Sequence, residues 1–256
     1  MSYVLCAPVV AQVGLLGAPP PDGLYEGWCN LDTERWGVGN DGLGTLSAEC
    51  SGTFGYLIAT TNEDITEDFE DFHYWGVSTQ ERFDLRGYRV WTRLEAPDIA
   101  APLAEVALQV SGVASSDFPG PNPPSYIAVA LIRLRRNSET GAAEFAWFIQ
   151  SVGNVASGSL PAVPATSQWV AFRVAEDGQT WYVERSDDCG TWEVVEEFTP
   201  GVPERSLYTS AGIAVLGGVD ETPAGGIVPA GSTWRIGPIF IQRAGNPPTP
   251  TPEPVP

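Results

Sequence analysis

The segment from Gln168 to Phe198 constrains the fold more than any other part of the chain. Val170, Phe172 and Val174 recur at every second position, which is the spacing that a strand with one buried face requires. The Asp-Gly pair that ends at Gly178 is a strong hairpin signal, because glycine adopts a positive φ without steric cost. A second run and a second turn follow in the same pattern. The segment therefore predicts three consecutive antiparallel strands.

Similar short apolar runs, separated by turn residues, recur over most of the chain, and no amphipathic helix longer than two turns is predicted. The other predicted strands are Thr45 to Cys50, Tyr56 to Thr60, His73 to Ser78, Tyr88 to Leu94, Glu105 to Ser111, Tyr126 to Arg135, Ala143 to Gln150, Ala211 to Leu216 and Trp234 to Gln242. The 28 glycines and 23 prolines suit the many turns of such a chain. This pattern predicts a large all-β sandwich or jelly roll.

One sandwich domain is predicted over residues 24–243, between two segments of different composition. Residues 1–23 form an apolar N-terminal arm, which lacks the basic start of a signal peptide and is too short to span a bilayer. Residues 244–256 form a Pro/Thr-rich tail, which is expected to be extended or to link the domain to a longer chain. The arm is predicted to contact a neighbouring molecule, in a homo-oligomer or on a virion.

The net charge of −19, from 13 basic and 32 acidic residues, argues against partners that need bulk positive charge. Nucleic acid and insertion into a membrane are therefore not expected. The charge favours solubility, cation binding, or contact with a basic or neutral partner such as a glycan.

The four cysteines leave the redox state open. Cys29 and Cys50 flank a segment that could form a hairpin, so a disulfide between them is one interpretation. Four free buried thiols, which also include Cys6 and Cys189, are the other. No Cys-x-x-Cys pair is present, so a zinc ribbon is not expected.

Several segments together resemble the concanavalin A-like lectin/glucanase superfamily of jelly-roll sandwiches. They read LDTERWGV, FDLRGYRVWTRLE, AGIAVLGG and WRIGPIFIQ around the three-strand segment, and the resemblance covers Leu31 to Gln242. The turn Ser186 to Trp192 is similar to the S-x-D-G-x-x-W turn of many such modules, except that Cys189 separates the Asp from the Gly. The resemblance implies a concanavalin A-like jelly-roll β-sandwich. It implies function less narrowly, because this fold hosts lectins, glycosidases, adhesion modules and virion proteins.

The glycosidases of this superfamily carry two glutamates around an aspartate on one strand, in an E-x-D-x-x-E pattern that supplies nucleophile and general acid. The nearest acidic cluster here, Asn62 to Asp71, lacks that pattern, and its residues are typical of a loop and not of a strand. The single histidine, His73, is not accompanied by the G-x-S-x-G elbow of a serine hydrolase. The sequence therefore predicts that the chain is not an enzyme, and a glycoside hydrolase or lyase is the disfavoured alternative.

The same acidic cluster is a candidate calcium site, because carboxylate oxygens are ligands that Ca²⁺ prefers. The candidate ligands are Glu63, Asp64, Glu67, Asp68 and Asp71. Their spacing does not match an EF-hand loop, and a solvated acidic loop is the alternative. Calcium is the one cofactor that the sequence suggests.

Nine tryptophans are more than we expect a sandwich core to hold without crowding. Flat aromatic faces stack on sugar rings, so Trp75, Trp91 and Trp147 are predicted to face a ligand from the concave sheet. The alternative for each is a core position. Arg133 and Arg135 belong to the one basic cluster, and we expect them to hold an acidic sugar or to pair with acidic neighbours.

These observations predict a non-catalytic module that recognises a carbohydrate or a cell-surface ligand. The alternative is a structural component of a virion or surface layer, such as a phage decoration, head-spike or tail protein with no ligand chemistry. Either role places the chain outside the cell, at a cell surface or on a virion.

Overall fold

The computed structural model describes residues 17–20, 22–29, 32, 34–40, 42–50, 54–65, 73–95, 104–113, 127–136, 143–151, 154–161, 167–199, 210–219 and 227–245. Within these ranges the chain forms β-strands and turns, and no helix that could cross a membrane is found. The strands pair into two antiparallel sheets that face each other across one apolar core. The predicted all-β sandwich is confirmed.

The strands, in chain order, are β1 (Gly23–Glu26), β2 (Trp36–Asn40), β3 (Gly44–Glu49), β4 (Tyr56–Thr61), β5 (His73–Thr79), β6 (Tyr88–Glu95), β7 (Ala104–Val113), β8 (Ile127–Arg136), β9 (Ala143–Ser151), β10 (Asn154–Pro161), β11 (Ser167–Val174), β12 (Trp181–Ser186), β13 (Glu193–Phe198), β14 (Ala211–Val219), β15 (Thr233–Ile236) and β16 (Ile239–Arg243). A seven-stranded sheet has the order β10-β9-β8-β7-β14-β5-β2. A nine-stranded sheet has the order β13-β12-β11-β6-β15-β4-β3, with β16 paired to β6 and β1 paired to β16.

Strands β11, β12 and β13 are consecutive antiparallel neighbours, as the sequence predicts. Val170, Phe172 and Val174 point into the core, where each is no more than 1 % exposed. Gly178 has a φ of 67° in the turn between β11 and β12, which is the conformation that the Asp-Gly pair predicts. The side chain of Asp177 accepts a hydrogen bond from the backbone N of Gln179 at 2.8 Å and holds the same turn.

The turn between β12 and β13 is organised by one carboxylate. Asp188 Oδ1 accepts hydrogen bonds from the backbone N of Gly190 and of Thr191, each at 2.8 Å, and from Ser186 Oγ at 3.1 Å. The bonds from Thr191, Gly190 and Ser186 lower the pKa of Asp188. Cys189 adopts a φ of 53° between these partners, in the left-handed region that favours glycine.

The run from Trp234 to Gln242, predicted as one strand, is two strands with a break at Gly237-Pro238. Proline has no backbone N–H and cannot donate to a ladder, so the pairing with β6 is interrupted there. The carbonyl of Gly237 instead accepts hydrogen bonds from Trp28 Nε1 at 2.7 Å and from Thr92 Oγ1 at 2.9 Å. The hydrogen-bonding capacity of the Gly237 carbonyl at the break is thus satisfied by two side chains, one from β6 and one from the segment after β1.

Six of the nine tryptophans lie in the core between the sheets. They are Trp28, Trp36, Trp75, Trp147, Trp181 and Trp234. Trp75 packs 5.4 Å from Trp234 between ring centroids. Gly44 leaves the space for this pair, because a side chain at that position would overlap the Trp75 indole. Trp75 and Trp147, predicted to face a ligand, therefore point into the core instead.

The predicted arm joins the sandwich before β1 begins. The backbone N of Ala18 donates to the carbonyl of Arg82 at 2.9 Å, and the carbonyl of Ala18 accepts from the N of Asp84 at 3.0 Å. Residues 1–16 of the predicted arm, with Cys6, and residues 246–256 of the predicted tail lie outside the described residues. Cys29 and Cys50 form a disulfide, which resolves the alternative that the sequence left open for this pair.

Candidate functional site

The outer face of the seven-stranded sheet carries Arg133 and Arg135, the two predicted arginines. Side chains alternate along a strand, so residues between the core positions of β7, β8 and β9 point away from the other sheet. We call this surface the polar face. It is defined by Ser78, Glu105, Ala107, Gln109, Ser111, Leu131, Arg133, Arg135, Glu144, Phe148 and Leu216.

A row of alternating charge crosses one end of the polar face. Glu105 of β7 lies opposite Arg135 of β8, which lies opposite Glu144 of β9. Arg135 Nε donates to Glu144 Oε2 at 2.9 Å, and Arg133 Nη1 donates to Glu105 Oε2 at 2.8 Å. Glu105 is only 1 % exposed, so the arginine is needed to offset the loss of water around its carboxylate. Both arginines thus pair with acidic neighbours, one of the two roles expected for them.

A small apolar cluster lies beside this charged row and is separate from the core. Ala107, Leu131 and Leu216 form it, with Phe148 half-buried against it. Gln109 is half-buried in the next row along β7 and, among the described residues, makes no side-chain hydrogen bond. An apolar floor beside open hydrogen-bonding groups is the usual composition of a small-molecule or sugar site.

Arg82 lies at the opposite end of the polar face. Its Nη1 donates to the carbonyl of Ser111 at 3.0 Å, at the end of β7. A Cβ on Gly212 would lie 2.8 Å from the same nitrogen, so the guanidinium covers that glycine. Burial lowers the pKa of Arg82, because water is removed from around a charged group. No pattern in the sequence singles out this residue.

The outer face of the nine-stranded sheet carries a second surface, which we call the aromatic face. Trp91 stacks on Phe240 at its centre, with ring centroids 4.0 Å apart and planes 9° apart. Trp169 and Trp192 pack edge-on against Trp91 at 5.4 Å and 5.9 Å. Trp91, predicted to face a ligand, is 1 % exposed because these rings cover it.

Arginines cover the outer rings of the aromatic face. Arg89 lies 5.1 Å above Trp192 and Arg93 lies 5.9 Å above Trp169, each measured from Cζ to the ring centroid. Glu184, which is 1 % exposed, accepts from Arg89 Nε at 2.7 Å. It also accepts from Arg173 Nε at 2.7 Å. The charged and aromatic groups of this face therefore satisfy one another.

The predicted calcium ligands are only partly within the described residues. Glu63 is exposed, and Asp64 Oδ1 accepts a hydrogen bond from the backbone N of Ala230 at 2.8 Å. Glu67, Asp68 and Asp71 lie outside the described residues. The part of the chain that is described contains no group of three or more acidic, histidine or cysteine side chains placed to hold a metal ion. Calcium stays a prediction, and a melting temperature that rises with Ca²⁺ and falls back with EDTA would support it.

No family model and no curated protein matches the chain, but solved structures do. LamA from Zobellia galactanivorans, in complex with laminaritriose and laminaritetraose, is 15% identical with a TM-score of 0.51, over 85% of this chain and 94% of that one. A glycoside hydrolase family 16 endo-glucanase from Bacteroides ovatus is 10% identical with a TM-score of 0.52, over 84% and 98%. A legume lectin-like domain from Entamoeba histolytica is 7% identical with a TM-score of 0.51, over 92% and 100%.

The prediction that the chain is not an enzyme is contradicted by these comparisons, because the similar structures include two family 16 glycoside hydrolases from Bacteroides ovatus. That prediction depended on the absence of an E-x-D-x-x-E pattern along one strand. A sheet can also bring carboxylates together from different strands, as it does with Glu105 and Glu144. The absence of a local pattern is therefore weak grounds for excluding catalysis.

The fold itself is shared across nearly the whole length of these structures. Each of the three is covered over at least 94% of its own chain. At identities of 15% and below, the likeness concerns the path of the backbone and not the site residues. Two packed antiparallel sheets with this match identify the chain as a concanavalin A-like jelly-roll β-sandwich.

Proposed function

We propose that this chain is a carbohydrate-active protein that binds a glycan across its polar face. The observation that carries the proposal is the apolar cluster of Ala107, Leu131 and Leu216 beside the open amide of Gln109 and the charged row. Ala107, Leu131 and Leu216 are themselves buried and would support the partly exposed ring of Phe148, which would contact the C–H face of a sugar, while Gln109 would donate to and accept from its hydroxyls. Phe148 provides an aromatic side chain at the edge of the same cluster.

The polar face fits a ligand better than the aromatic face does. On the aromatic face, Arg89 and Arg93 already lie over the outer tryptophans. A sugar would have to displace them and break the contacts of Glu184 with Arg89 and Arg173. On the polar face, a ligand can bond to Gln109 without displacing a partner among the described residues.

A binding experiment with a matched pair of variants tests this proposal. Titration calorimetry would follow a panel of soluble oligosaccharides, including laminari-oligosaccharides because the LamA structure contains them. Gln109→Ala should weaken binding about tenfold, which is ~1.4 kcal/mol and the size of a lost hydrogen bond to a ligand. Ser47→Ala, on the outer face of the other sheet, should leave affinity unchanged. Equal affinity in both variants would exclude the polar face as the binding surface.

Glycoside hydrolysis on the same face is the second candidate, and the row of Glu105, Arg135 and Glu144 favours it. The two glutamates are on strands separated by β8, so their backbones are about 10 Å apart at the usual strand spacing. Inverting glycosidases hold their two carboxyl groups about 6.5–9.5 Å apart, which flexible glutamates at this spacing can reach. A substrate would have to displace Arg133 from Glu105 and Arg135 from Glu144, after which one carboxyl group would protonate the leaving oxygen and the other would activate water.

Release of reducing ends from a polysaccharide panel tests hydrolysis. Glu144→Gln should abolish release while calorimetry still detects binding, because the change removes a carboxylate but keeps the size of the side chain. Glu105→Gln should do the same, with circular dichroism to confirm that the variant folds. Release that continues in both variants would contradict the assignment of these carboxylates.

We also propose that the chain works in an oxidising compartment, at a cell surface or outside the cell. The Cys29–Cys50 disulfide supports this, because disulfides persist in secreted proteins and are rare in the cytosol. Labelling of free thiols in protein taken directly from its native source tests it. Modification of Cys29 and Cys50 without prior reduction would contradict the proposal.

A further inference from the structure

Nearly every arginine whose side chain is described forms an ion pair, as expected in a chain of net charge −19. The paired arginines are Arg35, Arg86, Arg89, Arg93, Arg133, Arg135, Arg173, Arg185 and Arg235. The two exceptions among the arginines whose side chains are described are Arg82 and Arg243. Arg243 is exposed and contacts the ring of Tyr88, so water can solvate its charge. Arg82 is half-buried, and no carboxylate or aromatic ring among the described residues compensates its charge.

The guanidinium of Arg82 is held in place by neutral groups. Its Nη1 donates to the carbonyl of Ser111 at 3.0 Å. The guanidinium occupies the space that a side chain at Gly212 would need. A guanidinium has five N–H donors, and a single neutral carbonyl leaves most of them available. Arginine stays charged at neutral pH even where burial lowers its pKa. Among the described residues no acid pairs with this partly buried cation, and a guanidinium with spare donors is a group that an anion can bind.

We propose that Arg82 is an anion subsite at the end of the polar face, and that it binds the carboxylate or sulfate group of an acidic glycan. The inference rests on the proposed function, since it names the class of glycan that the face would select. The planar guanidinium matches the paired oxygens of a carboxylate or sulfate. Ser111 and Glu105 lie six residues apart on β7, which is about 20 Å at ~3.4 Å per residue. The subsite is therefore well separated from the carboxylates at the other end.

The negative net charge of the protein does not prevent this binding. At physiological ionic strength, charges more than about 8 Å apart in solvent are largely screened from each other. The acidic residues of the polar face, Glu105 and Glu144, are themselves paired with arginines. Glu105, about 20 Å from Ser111 along β7, is therefore too far away to cancel the charge of Arg82.

Calorimetry with two oligosaccharides of the same backbone, one neutral and one oxidised to the uronic acid, tests the selectivity. We expect the acidic form to bind the wild-type protein about tenfold more tightly. Arg82→Gln should remove that preference and leave affinity for the neutral form unchanged. Arg243→Gln is the matched control, because it removes the other unpaired arginine, and should keep the preference. A preference that survives Arg82→Gln would overturn the proposal.

A second measurement with inorganic sulfate does not depend on any glycan. Sulfate, compared with chloride at equal ionic strength, should raise the melting temperature of the wild-type protein more than that of Arg82→Gln, because the general stabilisation by sulfate acts on both proteins and binding to Arg82 on the wild type alone. If no glycan binds but this shift is seen, the proposed function fails while the anion subsite stands. If sulfate stabilises the wild type and Arg82→Gln equally, or has no specific effect, the subsite is overturned.

Discussion

The polar face and the aromatic face of this sandwich use the same residue types but arrange them differently. On the aromatic face, Glu184 bonds two arginines and other arginines lie over tryptophan rings. On the polar face, the ion pairs occupy one end, and Gln109 and Arg82 keep donors that no described residue uses. The comparison suggests that the first surface adds to stability and the second is available for a ligand.

The physical difference is whether the polar groups of a surface satisfy one another. A buried carboxylate held by two arginines has no remaining capacity for a ligand, and breaking it would leave uncompensated charge. A half-buried amide or guanidinium with spare donors can exchange water for a ligand at small cost. An aromatic cluster on a β-sandwich is therefore not sufficient to locate a glycan site, because the rings can serve as a second core.

Trp91→Ala should give the largest loss of stability on either outer face. The change removes a 1 % exposed ring that contacts Phe240, Trp169 and Trp192, and leaves a cavity. Truncation of such a side chain typically costs about 3–5 kcal/mol of unfolding free energy. Phe148→Ala on the polar face should cost less, since that ring is only half-buried. Chemical denaturation of both variants measures the difference, and equal losses would contradict the division of roles.

Glu184→Gln should destabilise the protein more than Glu144→Gln. Glu184 is 1 % exposed and holds both Arg89 and Arg173, so its neutral replacement leaves two arginines without their carboxylate. Breaking a buried pair from one side costs about 3–5 kcal/mol, and the loss should be smaller for Arg135 with Glu144, whose side chains are 25 % and 15 % exposed. Urea unfolding of the two variants provides the measurement. The midpoints are compared after checking that the free energy of unfolding depends on urea concentration with the same slope in both.

Gly212→Ala should change ligand selectivity more than stability. A Cβ at this position would lie 2.8 Å from Arg82 Nη1, so the guanidinium must shift away from Ser111. We expect a stability change below about 1 kcal/mol, because the end of a flexible side chain can move. The response of the melting temperature to sulfate should nevertheless decrease. An unchanged response would show that the position of Arg82 is not what binds the anion.

The sequence predicted the local features of the fold and missed those that depend on strand order. The three strands of the Gln168 to Phe198 segment follow from side-chain alternation and from turn residues that are adjacent in the chain. The break at Gly237-Pro238 was missed, because Trp234 to Gln242 was predicted as one strand although a proline within a run argues against a continuous strand. The direction of Trp75 and Trp147 had no local signal, because alternation does not say which face meets the other sheet.

The polar face depends on contacts between distant parts of the chain. Glu105 and Glu144 share a row only because β7, β8 and β9 pair in one particular register. Arg82 meets Ser111 and Gly212 because β14 lies between β5 and β7. No spacing within one segment predicts these contacts, so a pattern of acidic residues along one strand is not sufficient to decide whether the chain carries catalytic carboxylates.

Asp188→Asn should have the smallest effect, visible as a change in how stability depends on pH. Asp188 holds the turn that carries Trp192 onto the aromatic face, and hydrogen bonds from Thr191, Gly190 and Ser186 lower its pKa. A carboxyl group whose folded pKa is lowered stabilises the protein above its unfolded pKa of about 3.9, and this contribution is lost as pH falls towards the folded value. The wild type should therefore lose its advantage over Asp188→Asn below about pH 4.

Thermal melts of the two proteins between neutral pH and pH 2 would show this effect as a narrowing gap in melting temperature. Asn keeps the shape of the side chain and one acceptor oxygen, so the turn itself should form in both proteins. Binding of glycan and sulfate should be identical in the two, because the turn lies on the aromatic face. A variant that lost ligand binding would connect the two faces and break the distinction between a surface for stability and a surface for recognition.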